Sequence, residues 1–217
     1  MNLYDKARRF NKWFPKNLTE TLLRAEIDPL TYMDIIPKNY LYEDETLNNF
    51  EMPAHIKSIE SYAFGYCSNL KKVSFSERLT DIEDGAFCST GLTEVSLPNS
   101  VQTLRSSAFY GCISLKEIDL PANLTELESG VLENCISLMK IEIPEKVITI
   151  DRFAFSGCKS LSRVDIPDSV EVINERAFAN CTGLTSMTLG TNLKYVDKNV
   201  WYLCSELTSL SYKGTVE

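Results

Sequence analysis

Seven cysteines, Cys67, Cys88, Cys112, Cys135, Cys158, Cys181 and Cys204, recur at nearly constant intervals along this 217-residue chain. Thiols in such a series could ligate a metal, attack as thiolates or pair as disulfides, and each chemistry makes its own geometric demand. A metal needs several ligands converging on one point, and no C-x-x-C occurs. A thiolate nucleophile needs a base, yet the sole histidine, His55, lies in no papain-like context, and no G-x-S-x-G is present. Disulfides fit the roughly 5 Å between neighbouring rungs of a stack, but in-register side chains point in parallel, holding Cβ atoms further apart than the preferred ~3.8 Å. An odd number also leaves one thiol over. The reading favoured by these constraints is a ladder of buried, inert thiols used as small apolar bricks. Cys88 directly follows Phe87 and is out of register with the other six, so it is the thiol expected to be exposed and reactive.

The elements that carry these cysteines repeat with them. The pairs Ile56/Ile59, Leu79/Ile82, Val101/Leu104, Leu124/Leu127, Val147/Ile150, Val170/Ile173 and Leu193/Val196 open successive units at a spacing of 23 residues, with one step of 22 between Leu79 and Val101. Met33, Ile36, Tyr40, Leu41, Asp44, Leu47, Phe50, Met52 and Pro53 mark an earlier, degenerate unit in which Asp44 stands in the cysteine's place. The array therefore comprises eight units of roughly 23 residues over 33–217, one domain, preceded by a separate cap at 1–32. Within a unit, Leu115, Ile118 and Leu120 end in period-2 alternation, the mark of a short strand with one buried face, and proline follows at 53, 98, 121, 144 and 167. Ser107-Ala108-Phe109 reads as a short helical or 3-10 turn. One strand and one turn cannot bury their own apolar side, so neighbouring units must stack.

The pattern A-F-x-x-C-x-x-L-x-x-V/I-x-L-P, exemplified by AFYGCISLKEIDLP at 108–121, resembles the BspA-like (treponemal-type) leucine-rich repeats over about residues 33–217. The resemblance implies an α/β repeat solenoid: a right-handed array with a concave parallel β-sheet, short helices or 3-10 turns on the convex side, and an N-terminal helical cap. It implies a non-enzymatic scaffold that binds a protein, as an adhesion or recognition module. Tyr212-Lys213-Gly214-Thr215 resembles the closing motif of such arrays. A second expectation, from a different class, is an intracellular regulator or inhibitor, of bacterial or phage type, that wraps an enzyme or a nucleic-acid-handling complex. Seven free thiols argue for it.

Composition limits the partners further. A net charge of -8 argues against direct nucleic-acid binding or attraction to anionic membrane; residues 1–32 carry six Lys/Arg against four Asp/Glu, leaving -10 on the repeats. No apolar run is long enough to span a bilayer, and the start MNLYDKARRFNKWF lacks a continuous apolar segment. As written the chain is expected in the cytoplasm; with a natural signal removed, at the cell surface or secreted. A monomer is expected, with no cofactor, no metal and no catalytic residue, and His55 as a turn residue. Three N-x-[ST] sequons, at Asn17, Asn123 and Asn180, would go unused without export. In the cap, Leu3, Ala7, Phe10 and Phe14 fall at helical spacing beside Trp13, with Lys6, Arg8, Arg9, Lys12 and Lys16 elsewhere; Asn17 and Glu20 resemble a capping pair for a second short helix. Val200 and Trp201, replacing Ala and Phe in the last unit, read as an adaptation at the other end.

The candidate binding residues are those between the buried apolar positions of each strand. One column reads Glu51, Ser74, Ser96, Asp119, Glu142, Asp165, Thr188, Ser211; its neighbour reads Asn49, Lys72, Glu94, Glu117, Lys140, Arg163, Ser186, Ser209. The expected interface on the concave face is Lys72, Glu94, Lys116, Glu117, Asp119, Lys140, Glu142, Arg163 and Asp165. Asp119, Glu142 and Asp165 would stack on consecutive strands, a repulsion that Lys140 and Arg163 can offset in part. That column is open to three readings: a solvated face with cross-strand ion pairs, a patch for a basic partner, or a cation site. The last two units present mainly Ser and Thr on the same face.

Overall fold

The structure, a computed structural model, describes residues 29–214. A 3-10 helix, Pro29–Tyr32, is followed in chain order by β1 (Ile35–Ile36), β2 (Asn49–Glu51), β3 (Ser58–Ile59), β4 (Lys72–Ser74), β5 (Asp81–Ile82), β6 (Glu94–Ser96), β7 (Thr103–Leu104), β8 (Glu117–Asp119), β9 (Glu126–Leu127), β10 (Thr149–Ile150), β11 (Arg163–Asp165), β12 (Val172–Ile173), β13 (Ser186–Leu189), β14 (Tyr195–Val196) and β15 (Ser209–Tyr212). The three- and four-residue strands form one face, here the long-strand face, and the two-residue strands form another. All pairings are parallel and join equivalent residues of successive units: Phe50 to Val73, Val95 to Ile118, Val164 to Met187, Ile59 to Ile82. Parallel pairing follows from the coil itself, because each strand comes back alongside its predecessor only after a full circuit of chain. The result is a parallel β-solenoid of about eight turns.

Alternation on the long-strand face works as the spacing demands. In the fourth unit Leu115 and Ile118 are buried and Leu120 packs against the core, while Asp119 between them is exposed. The interior is filled by columns that repeat with the period. Phe64, Phe87, Phe109, Phe155 and Phe178 are fully buried. Rings of adjacent rungs stack face to face, 5.0 Å apart and 2° from parallel for Phe64 and Phe87 and 5.4 Å and 6° for Phe87 and Phe109. Burying each ring contributes about 1.5–3 kcal/mol, and stacking adds about 0.5–1.5 kcal/mol. Leu132 takes the phenylalanine's place in the fifth unit and interrupts the stack.

The Ala-Phe turns are not helical, against expectation: the one helix among the described residues is Pro29–Tyr32. In every rung but the last, two residues four apart adopt the left-handed conformation, as at Tyr62 and Tyr66 (φ 58° and 61°), Ser107 and Gly111 (φ 57° and 67°) and Arg176 and Asn180 (φ 55° and 57°). A right-handed helix cannot pass through such residues. Their alternate N–H groups point along the solenoid and donate to the next rung instead: Tyr62 N–H to Asp84 O (3.0 Å), Phe64 N–H to Ala86 O (2.8 Å), Tyr66 N–H to Cys88 O (2.7 Å). Ladder bonds between rungs thus replace the i to i−4 bonds of the expected helices. Apart from Pro29–Tyr32, the expected helical cap at 1–32 lies outside the described residues.

Candidate binding face

The cysteines do their work in the interior. Cys67, Cys112, Cys135, Cys158 and Cys181 are fully buried, and each thiol donates to the carbonyl in the phenylalanine slot of the preceding rung, 26 positions earlier or, for Cys112 across the short unit, 25: Leu41, Phe87, Phe109, Leu132 and Phe155, at 2.9–3.3 Å. Phe109 O also accepts the Cys112 N–H at 3.2 Å, so the Cys135 thiol occupies the carbonyl's second lone pair. Burial pushes the Cys112 thiol up to about 11 and the Cys158 thiol up to about 12, which keeps both protonated. Among the described residues, no group of His, Cys, Asp and Glu converges as a metal would require.

Cys88 departs from expectation: it is 3% exposed, its thiol pushed up to about 11 by burial, and it packs near Gly65. The empty slot in its rung is filled by Thr90, also buried, whose hydroxyl lies 3.1 Å from Cys112 Sγ. The half-buried thiol is Cys204 in the last rung, donating to Phe178 O at 3.0 Å. His55 Nε2 bonds Leu30 O at 2.8 Å, which pins the 3-10 segment to the first rungs. The ring is a structural tie.

The remaining polar candidates lie together on the long-strand face. Lys72, Glu94, Lys116, Asp119, Lys140, Glu142, Arg163 and Asp165 are exposed and Glu117 is half-buried. Lys140 Nζ reaches Glu117 Oε1 at 2.6 Å across one rung. Arg163 clamps Asp165 on its own strand through Nε and Nη2, both at 3.1 Å, and these bonds hold the Asp165 carboxyl below its ordinary range. Among the described residues, Asp119 and Glu142 have no ion-pair partner within 4 Å. In the last two rungs Thr185 Oγ1 donates to Ser162 O and Ser211 Oγ to Thr188 Oγ1, so part of the hydroxyl surface is already engaged.

The face is not one continuous sheet. β2–β4, β6–β8 and β11–β13–β15 are separate, and Lys140–Ile141–Glu142 forms no strand. The first gap, between β4 and β6, follows from the short unit: Thr90-Gly91-Leu92 has one residue fewer than the usual Cys-x-x-Leu. Gly91 lies against the Ser68 carbonyl, where a Cβ would have no room. The second gap falls where Glu142 would stand between Asp119 and Asp165, and like charges directly opposite weaken pairing. A hollow lies at each gap, one of about 570 Å³ beside Lys72, Glu94 and Asp119 and one of about 850 Å³ beside Asp119, Lys140, Glu142, Arg163 and Asp165.

The charged columns are not all that this face and its edges expose. Ile113, Ile136 and Met139 are 56%, 37% and 55% exposed on the edge where the strands begin. The signal for them was in the sequence, as apolar residues at positions that are polar in the other units: Glu45, Ser68, Lys159, Thr182 and Ser205 for the isoleucines, and Asn48, Lys71, Thr93, Lys116, Ser162, Thr185 and Thr208 for Met139.

The profile of the BspA type leucine rich repeat region matches residues 34–150 and 131–217, in six copies. The chain belongs to this family. No curated protein matches it. Among solved structures it is similar to a leucine-rich repeat protein from Bacteroides ovatus, at 20% identity and a TM-score of 0.58 over 83% of this chain and 59% of that one. A leucine-rich repeat protein of T. pallidum gives 24% identity and a TM-score of 0.56 over 77% of this chain and 71% of that one. The pneumococcal vaccine antigen PcpA gives 21% identity and a TM-score of 0.50 over 78% and 57%. These likenesses establish the leucine-rich-repeat fold. The chain spans about three fifths of the Bacteroides ovatus protein's length.

Proposed function

We propose that this chain is a non-enzymatic scaffold that binds a protein partner through the long-strand face, the concave side of the fold, using Lys72, Glu94, Lys116, Glu117, Asp119, Lys140, Glu142, Arg163 and Asp165. The observation that carries the reading is the pair of hollows on that face, each bordered by Asp119, which like Glu94 and Glu142 has no ion-pair partner among the described residues. A carboxylate left without a counter-ion costs little in water and offers an attachment for a basic partner. The family's use as repeat scaffolds supports the same reading and favours an adhesion or recognition role. Thiols buried and bonded to carbonyls do not by themselves report the compartment, so they add nothing to the alternative reading as an intracellular regulator or inhibitor.

Affinity capture with the native chain, compared with Asp119→Lys/Glu142→Lys, tests the proposal. A protein retained by the native chain and lost with the charge-reversed one is the expected outcome. Equal retention by both would remove the acidic patch from the interface.

A further inference from the structure

Single exposed apolar side chains are ordinary on any protein surface. Ile113, Ile136 and Met139 are different, because the repeat supplies its own control. The units build equivalent turns, one residue shorter at Thr90-Gly91-Leu92, and at these columns the other full-length units use Glu, Ser, Lys, Thr or Asn without loss of the fold. An apolar residue here is therefore not required by the rung it sits on. The three lie on adjacent rungs: Ile113 and Ile136 are equivalent, one unit apart, and the tie between their loops is made by Ser137 Oγ, which donates to Ile113 O at 2.7 Å. Met139 follows at the start of the Lys140–Ile141–Glu142 segment, with its N–H donated to Lys116 O at 3.2 Å. From Met139 to Glu142 is three residues, about 10 Å along an extended chain. The apolar cluster thus borders the rungs that carry Asp119 and Glu142. A cluster that excludes water beside a charged rim is the anatomy of a binding hot spot.

We propose that Ile113, Ile136 and Met139 form an apolar anchor at the strand-start edge of the concave face, which seats a partner polypeptide carrying apolar side chains next to basic ones. The apolar side chains cover the anchor and the basic ones reach Asp119 and Glu142. This rests on the protein-binding reading above and specifies the chemistry of its partner.

The test uses the whole chain and three fluorescent peptides of equal length at physiological salt: one alternating lysine and leucine, one lysine and serine, one glutamate and leucine. The expected result is that the Lys/Leu peptide binds most tightly, and that Ile136→Ser/Met139→Ser weakens it by about tenfold or more. Because serine occurs at both columns in other rungs, the melting temperature of that variant is expected to stay within a degree or two of the parent's. Lys159→Ile, which extends the cluster by one rung, is expected to tighten binding. Equal binding of Lys/Leu and Lys/Ser peptides, no loss in the double variant, or a drop in its melting temperature would each overturn the anchor. If Asp119→Lys/Glu142→Lys abolishes binding while Ile136→Ser/Met139→Ser does not, the anchor fails and the charged face stands. If neither variant changes binding, both fail.

Discussion

The inside of this solenoid and its long-strand face are built from the same rungs yet obey opposite rules. Inside, equivalent residues hardly change: phenylalanine stacks on phenylalanine, and a cysteine recurs whose thiol bonds the carbonyl of the rung before. On the face, equivalent residues vary in type and sign, from Lys72 to Glu94 and Glu117 and back to Lys140 and Arg163. An interior side chain touches its own counterparts above and below, so a change at one rung is felt at both neighbours. A face side chain touches water. The repeat therefore encodes the fold where it is regular and leaves room for a binding surface where it is not.

The sharpest way to break this contrast is to cut into the phenylalanine column. Phe109→Ala leaves a cavity between Phe87 and Leu132 and is expected to cost about 3–5 kcal/mol, measured by denaturant unfolding. A loss below 1 kcal/mol would mean that the interior column is not the source of stability.

Next in size is Gly91→Ala. A Cβ at this position meets the Ser68 carbonyl in the shortened unit, and backbone cannot move aside as a flexible side chain would. The expected cost is about 1–3 kcal/mol, comparable to other core overpacking. It should exceed that of Gly65→Ala, whose nearest neighbours are side-chain atoms of Tyr42 and Cys88 at 3.3 Å.

The thiol ladder gives a pH-dependent version of the same contrast. Cys88 and Cys112 are pushed up to about 11 and Cys158 to about 12, while in the unfolded chain the thiols ionise near 9. Between those values the unfolded chain has released protons that the folded one still holds. Stability is therefore full below about pH 9 and falls as pH rises through 11 to 12. Cys112→Ala/Cys158→Ala should flatten this fall. A thiol reagent added to native protein at neutral pH should label Cys204, the half-buried member, ahead of the other six. Rapid labelling of all seven would break the picture of a sealed interior.

How much of this was legible follows the same division. The 23-residue period, the parallel pairing and the buried columns could be read directly, because stacking demands that each apolar residue reappear at the same place. Three things could not. The Ala-Phe segment reads as helix by composition, but its conformation is set by ladder bonds to the next rung, and non-glycine residues such as Tyr62 and Arg176 enter the left-handed region with no sequence signal. Cys88 reads as displaced and exposed, since nothing in the sequence says that Thr90 fills the vacated slot. The interruption at Lys140–Ile141–Glu142 is invisible to a repeat pattern that this unit satisfies from Cys135 through Pro144. Ile113, Ile136 and Met139 were legible in principle, by asking where a polar column turns apolar.

The smallest expected effect lies on the face. Asp119 and Glu142 have no ion-pair partner among the described residues, and with Asp165 they line one column of like charge, whereas Lys140 and Arg163 are engaged by Glu117 and Asp165. Replacing Asp119 with Asn and Glu142 with Gln keeps their shapes and removes the repulsion, so stability should rise slightly or stay level, by at most about 0.5–1 kcal/mol at low ionic strength. The gain should shrink as salt is added, since exposed charges are screened. The same substitutions should weaken a bound basic partner, so stability and binding would move in opposite directions. A clear loss of stability would show that these carboxylates hold the sheet together, and would move Asp119 and Glu142 from the binding surface to the framework.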